Sequence, residues 1–338
     1  MNYRKIVFAK TNHVELQEAV LSDQALRPNE VLVKNCYSLI SPGTELACLS
    51  GQEGWFSLPN TPGYIAVGEV VRAGANVTKV SEGDKVFTYG PHAEYFTIDT
   101  ANRNGGMCLK VPDALPLHLA PFTRTATIPF TAIRVSEIEL GDWVVVSGLG
   151  IIGNFAAQLA QLQGANVIGV DINEKRCIQA QACGIRHTVN SGNSGWKEQV
   201  KHLTGGRGIS TLIDATGLSS VIVDSLDLMA PYGEAVLLGS PRAEYVTDVT
   251  RVFNRIHLPG FTQFKGALEW RYPTFKDEFV KHSIERNSEI VMDLIIGGKL
   301  AVKPLFTHTF TPEKAAEAYA GLKDKKDEFT GVVFDWNH

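Results

Sequence analysis

The stretch Trp143-Val-Val-Val-Ser-Gly148-Leu-Gly150-Ile-Ile-Gly153-Asn-Phe155, followed by Asn166-Val-Ile-Gly-Val-Asp171, decides the fold of this chain. A β-branched run precedes the glycines and an apolar pattern of helical period (Ile152, Phe155, Leu159, Leu162) follows them, so the segment reads as strand, tight turn, helix, strand and acid. Gly148 permits the turn, Gly150 lets the backbone approach a pyrophosphate, and Gly153 lets the helix pack closely on its strand. Gly148, Gly150, Ile151, Ile152 and Gly153 therefore form a pyrophosphate seat at a helix N-terminus, where free N–H groups and the positive dipole end face the anion. Asp171 ends the second strand about 20 residues on, where a carboxylate accepts ribose hydroxyls and repels a 2′-phosphate. NAD is expected in preference to NADP. Ile172 and Lys175 are expected to flank the adenine and ribose, and Lys175 and Arg176 leave some room for a 2′-phosphate.

Outward from this stretch the texture of the chain changes. The first hundred residues alternate short apolar runs with Gly, Pro and Asn punctuation, as in Lys5–Phe8, Glu30–Lys34, Val67–Val71, Asp84–Thr88 and Ala93–Ile98, which predicts a β-rich, barrel-like domain. From about Leu119 helical and strand patterns alternate, which predicts a doubly wound parallel sheet. Its last strand is expected at His257–Phe261, followed by helices at Thr274–Ile284, Ile290–Ile296 and Pro312–Leu322 and a closing strand at Gly331–Asp335. A length of 338 residues suits two domains, each able to bury a core. The boundaries are expected at 1–121 with 266–338 for the β-rich domain and 122–265 for the nucleotide-binding domain.

Composition excludes several function classes. A formal net charge of −4 with no basic run argues against nucleic acid and anionic membrane partners, and no apolar stretch reaches membrane-spanning length. The N-terminus lacks the pattern of a secretory signal, so a cytoplasmic protein is expected. Five scattered cysteines (Cys36, Cys48, Cys108, Cys177, Cys183) form neither a disulfide framework nor a zinc knuckle. The run Lys323–Glu328 reads as a solvated turn.

A β-rich N-terminal domain before a dinucleotide fold resembles the medium-chain dehydrogenase/reductase superfamily, the zinc alcohol and polyol dehydrogenases and their metal-free relatives. The resemblance is carried by Tyr37–Glu45, Pro62–Val71, Gly83–Val86, His92–Tyr95, Phe130–Ala132, the glycine fingerprint, Ile213–Gly217 and Gly233–Gly239, in that order. It implies a GroES-like catalytic domain joined to a Rossmann domain. It also implies that the zinc ligands are gone: Pro42 stands where a Cys precedes the Gly-Thr-acid element, Gly63-Tyr64-Ile65 replaces Gly-His-Glu, and Thr127 falls near the third ligand. Cys108 stands alone where a structural zinc lobe has four cysteines. A metal-free member is expected, with no zinc.

The resemblance assigns Thr44 to a proton-relay hydroxyl and Thr131 to the nicotinamide face. Tyr64, in the place of a ligand, is a candidate acid/base or oxyanion donor, and equally a ring that fills the vacated space. His92 is a further candidate for proton transfer. The ends of the fourth and fifth sheet strands (Ala215, Thr216, Gly217; Leu238, Gly239, Ser240) and Phe261 and Thr262 after the sixth are expected to line the cofactor. Trp55, Arg124, Lys265 and Trp270 are candidate substrate residues. The expected activity is NAD-dependent interconversion of a secondary alcohol (polyol, cyclitol or sugar derivative) and its ketone. An NADPH-dependent quinone or enone reductase and a nucleotide-binding protein without turnover are the alternatives. A homodimer or homotetramer is expected, paired through the cofactor domains between Leu226 and Arg255.

Overall fold

The N-terminal residues make a two-stranded ribbon in the computed structural model, which describes residues 2–21 and 25–338. Strand β1 (Asn2–Lys10) pairs antiparallel with β2 (His13–Val20) and buries Ile6 and Phe8. Then come β3 (Glu30–Leu39), helix α1 (Pro42–Leu49), β4 (Ala66–Ala73), β5 (Lys85–Thr88), β6 (Tyr95–Asp99) and β7 (Cys108–Lys110). Helix α2 (Phe122–Val135) leads into β8 (Trp143–Ser147), α3 (Ile151–Leu162), β9 (Asn166–Asp171), α4 (Glu174–Ala182), β10 (His187–Asn190), α5 (Trp196–Leu203) and β11 (Ile209–Asp214). Next are α6 (Ser219–Ser225), β12 (Met229–Leu237), α7 (Val249–His257) and β13 (Gln263–Gly266), and the chain closes with α8 (Ile284–Ile296), β14 (Phe306–Phe310), α9 (Ala315–Asp324) and β15 (Gly331–Asp335).

The chain divides into two compact units. The first holds the chain up to Arg124, Tyr272–Ile296 and Phe306–His338; the second holds Thr125–Arg271 and Gly297–Leu305. Residues 266–271 and 297–305 thus group with the nucleotide-fold unit.

In the first unit a sheet runs in the order β14-β15-β3-β4-β5-β7, and β6 also pairs with β3. Strand β3 has partners on the same side at its two ends: β6 opposite Glu30–Lys34 and β15 opposite Tyr37–Leu39. One core of Val31, Val33, Ala66, Val70, Val86, Phe96 and Ile98 lies within this sheet. A second joins Ile6, Phe8, Ile40 and Leu49 to Tyr319, Val332, Phe334 and Trp336, so the C-terminal residues complete the N-terminal fold.

The second unit is a six-stranded, all-parallel sheet in the order β10-β9-β8-β11-β12-β13. Counted by strand this is 3-2-1-4-5-6, the doubly wound order. Its central strands are buried along nearly their whole length, as the unbroken runs Val144–Val146 and Val167–Val170 require of strands covered on both faces. Among the described residues no helix is long and apolar enough to cross a membrane.

Three expectations are corrected. His257–Phe261 is not the sixth strand; α7 runs to His257, and β13 begins at Gln263. Pro259 cannot donate to a sheet ladder, while Asp248 caps α7 by accepting from Thr250 N at 2.9 Å. Thr274–Ile284 is not a helix, because Ser283 caps the start of α8 by accepting from Arg286 N at 3.1 Å. Helix α1, absent from the expectation, starts on Ser41-Pro42, where proline suits the first helical position.

Candidate active site

Around the glycine turn of the second unit the backbone is crowded. Gly148 takes φ +87°, and a Cβ there would lie 2.9 Å from Thr216 Cγ2. At Gly153 a Cβ would fall 1.7 Å from the Gly148 carbonyl oxygen, so any side chain would push α3 off the turn. Gly150 instead faces open space, where the nearest atom to an added Cβ would be an Arg176 guanidinium nitrogen at 3.9 Å. That is the cradle a pyrophosphate needs: tight behind, open in front, at the N-terminus of α3.

Asp171, 6% exposed, ties this turn to its neighbour strand. Its Oδ2 accepts from Leu149 N at 2.7 Å and its Oδ1 from Asn173 N at 2.8 Å. A carboxylate has about four acceptor sites, so each oxygen keeps capacity for a ribose hydroxyl. Ile172 beside it is exposed, as an adenine contact would be. Arg176 brings a guanidinium nitrogen to 3.8 Å from Asp171 Oδ2 and belongs in this set. Lys175, in the first turn of α4, is exposed, its backbone N–H donating to the Asn173 cap. Placement near the acid favours Arg176 because α4 begins at Glu174 and turns that position back toward β9.

The ends of β11 and β12 meet as expected. Leu238 N and Gly239 N donate to Asp214 O, at 2.9 and 2.7 Å. An added Cβ would lie 2.5 Å from Ser240 O at Gly217 and 2.3 Å from Gly217 N at Gly239. Asp214, not anticipated, shapes this end: its carboxylate accepts from the Thr216 hydroxyl at 2.5 Å and from Gly217 N at 3.1 Å, and burial raises its pKa. Ala215 and Thr216 are half-buried beside it. Ile151, Thr131 and Thr262 are buried, Ile152 is half-buried, and Phe261 is exposed with φ +43°. Trp270 is exposed, while Lys265 sits between Glu137 and Glu234, at 2.7 Å from each, which neutralises it as an anion receptor.

In the first unit, Tyr64 donates to Ser41 Oγ at 2.5 Å and lies 3.4 Å from Thr44 Oγ1. Ser41 is the N-cap residue of α1, yet its hydroxyl makes no capping bond. Glu45 Oε1 accepts from Ser41 N at 2.7 Å, while the serine hydroxyl is turned to the phenol rather than to the first N–H groups of the helix. Burial pushes the Tyr64 phenol above its usual range, opposed by Arg124 and by the Ser41 and Thr44 hydroxyls.

Glu45, 2% exposed, gathers a network. Its Oε2 accepts from His92 Nε2 at 2.9 Å and from the Tyr319 hydroxyl at 2.5 Å. His92 Nδ1 lies 2.8 Å from Ser38 Oγ, which accepts from Trp336 Nε1 at 2.8 Å. A hydrogen on His92 Nε2 and a Ser38 hydroxyl turned to Nδ1 satisfy every group. His92 is 0% exposed with both nitrogens occupied, so the expected proton-transfer role gives way to holding Glu45 in place. Gly63, at φ +98°, makes room for it, since a Cβ there would lie 2.8 Å from the imidazole.

Arg124 is not displayed for an anionic substrate: it is 4% exposed, its guanidinium over the rings of Tyr89 (4.1 Å) and Tyr64 (5.4 Å). Trp55 is exposed, donating to Glu53 at 2.8 Å and packed edge-on against Phe56. Burial raises the thiol of Cys108 to about 12 and those of Cys177 and Cys183 to about 11, and all three are free.

Comparison with known proteins places the chain. Residues 27–113 match the alcohol dehydrogenase GroES-like domain and residues 152–276 the zinc-binding dehydrogenase domain. D-guloside 3-dehydrogenase of Escherichia coli (strain K12) is 28% identical over 276 residues, 80% of this chain and 77% of that protein. In fold, galactitol-1-phosphate dehydrogenase from Escherichia coli superposes with TM-score 0.83 at 20% identity, covering 98% of this chain and 99% of that one. An alcohol dehydrogenase from E. coli CFT073 complexed with NADH does so with TM-score 0.82 at 18% identity, covering 99% of both chains. The chain belongs to the medium-chain dehydrogenase/reductase superfamily and is an oxidoreductase of its alcohol dehydrogenase/reductase type, using a nicotinamide cofactor.

The Glu45 network makes a stability prediction. Glu45→Ala leaves His92, Tyr319 and the Ser41 N–H buried without their acceptor and is expected to cost about 3 kcal/mol or more. Urea unfolding measures it; a loss under about 1 kcal/mol would contradict the network's role.

Proposed function

We propose that this protein is a metal-independent, NAD-dependent dehydrogenase of secondary alcohols, with a polyol, cyclitol or sugar derivative as substrate and Tyr64 as the group that exchanges the substrate's hydroxyl proton. The observation that carries the reading is that Tyr64, at a position where the resemblance places a zinc ligand, forms a hydroxyl cluster with Ser41 and Thr44. This donor set does not fit zinc, which takes thiolate, imidazole and carboxylate. A guanidinium stands over the Tyr64 ring, and no group of three His, Cys, Asp or Glu side chains is placed to hold a metal among the described residues. The Glu45 and His92 pair is already committed to Tyr319 and Ser38.

NAD held by the Gly148–Gly153 turn and Asp171 would supply the acceptor for the hydride of the carbinol carbon. The chain's own groups manage the proton. With the phenol ionised, the Ser41 hydroxyl turns to donate to the phenolate oxygen, which takes the proton of the substrate hydroxyl; with the phenol protonated, Ser41 accepts. Thr44 offers a second hydroxyl to the same oxygen. The sugar-derivative relative supports the substrate class, and Asp171 supports NAD.

Because the phenol's pKa is raised, Tyr64 is protonated at neutral pH and suited to donate to a ketone's oxygen. Alcohol oxidation needs the phenolate, so its rate is expected to climb with pH. Tyr64→Phe is expected to lower kcat for oxidation of a secondary-alcohol panel by roughly a hundredfold to ten-thousandfold. Full turnover in that variant would overturn the assignment. Asp171→Asn removes the charge that excludes a 2′-phosphate, and the ratio of kcat/KM for NAD over NADP is expected to fall roughly tenfold or more; a wild-type protein preferring NADP refutes this reading of the acid.

The same proposal includes a homodimer or homotetramer. The open side of β13 and the exposed Phe253, Ile256 and Phe264 beside it suit pairing of two sheets edge to edge. Light scattering is expected to give at least twice the monomer mass, 36.9 kDa. A monomer at micromolar concentration excludes it.

A further inference from the structure

We propose that Arg124 is a positioning residue that acts through Tyr64: its guanidinium, seated against the Tyr64 and Tyr89 rings, stabilises the phenolate and so sets the pH at which the phenol releases its proton. The proposal deepens the reading of Tyr64 as the proton-exchanging group and rests on it.

Three observations lead to it. The guanidinium carbon lies 5.4 Å from the Tyr64 ring centre and 4.1 Å from that of Tyr89, within the range of cation–π attraction. Arg124 is 4% exposed, so its charge acts on the ring through protein rather than through water. It also occupies the first turn of α2, which begins at Phe122 and holds no acidic residue in that turn. The positive end of the helix dipole disfavours a cation there. A cation placed against the dipole at a helix start is expected where function requires it.

The groups facing Tyr64 pull in two directions. Burial opposes ionisation most strongly, and Glu45 of α1 adds a like charge. Arg124 is the largest influence in favour of the phenolate, ahead of the hydroxyls of Ser41 and Thr44. A neutral phenol over a cation gains only the attraction of its ring face, whereas a phenolate gains a full charge pair in a site of low dielectric. The cation therefore favours the ionised form by more than it favours the neutral one. Ser41 and Arg124 have separate tasks: the serine hydroxyl exchanges a hydrogen bond with the phenol oxygen, and the arginine provides the charge.

The test is the pH profile of kcat for alcohol oxidation with NAD, measured on the intact enzyme for wild type, Arg124→Gln, Arg124→Met and Arg124→Lys. The alkaline midpoint is expected to move up by about one unit or more in the two neutral variants, of different shape so that a failure of one to fold leaves the other. At a fixed pH below the midpoint, that is about a tenfold fall in kcat per unit. Arg124→Lys keeps the charge and is expected to keep the midpoint near that of wild type even where kcat drops. The tyrosinate absorbance that Tyr64→Phe abolishes should titrate with the same displaced midpoint. A folded neutral variant with an unmoved midpoint overturns the role of Arg124, as does a lysine variant displaced as far as the neutral ones. If Tyr64→Phe itself keeps full activity, the reading of Tyr64 fails instead, so the two failures are distinguishable.

Discussion

The buried carboxylate of Glu45 is the constraint on which the first unit's site depends. A charge that is 2% exposed survives only where hydrogen bonds replace its water, and here three donors do so: Ser41 N, His92 Nε2 and the Tyr319 hydroxyl. Two of them come from distant segments of the chain, Tyr319 being 274 positions from Glu45. Satisfying one carboxylate therefore fixes the start of α1, the loop before β6 and α9 relative to one another. Glu45 holds the backbone N–H of Ser41, whose hydroxyl faces Tyr64 instead of capping α1.

The second unit depends on closeness of backbone rather than on charge. Gly153 sits against the Gly148 carbonyl, Gly239 against Gly217, and Gly217 against Ser240. Each contact is shorter than a side chain allows, so the strand ends converge on a rim of backbone N–H groups with Asp171 and Asp214 as the nearby acids. Asp171 serves two purposes in this arrangement. It holds the glycine turn through Leu149 N and still presents acceptor capacity to a ribose.

The nucleotide-binding half was legible because its determinants are local. The β-branched run, the three glycines and the acid lie within 29 residues, from Trp143 to Asp171, and each has one steric or electrostatic task. The doubly wound parallel sheet followed from it; the strand order 3-2-1-4-5-6 is seen in the structure. Errors arose where local signals compete. Pro259 interrupts an apolar run that reads as a strand, and Ser283 caps a helix later than the apolar spacing suggested. The first unit's site was legible only as far as single residues: Thr44 and Tyr64 were candidates, but Ser41 carried no signal and Arg124 was expected to face substrate rather than Tyr64 and Tyr89.

From the sequence alone came the family, the dinucleotide turn and the acid that ends its second strand, because each is written in residues close together. Tertiary structure decided the neighbours of those residues. It turned His92 inward to Ser38 and Glu45, brought Tyr319 and Trp336 from the C-terminal part of the chain into the same network, and set Arg124 against Tyr64 and Tyr89. No local spacing encodes these contacts. They arise because buried polar groups must find partners, and in this fold the available partners come from the opposite end of the chain.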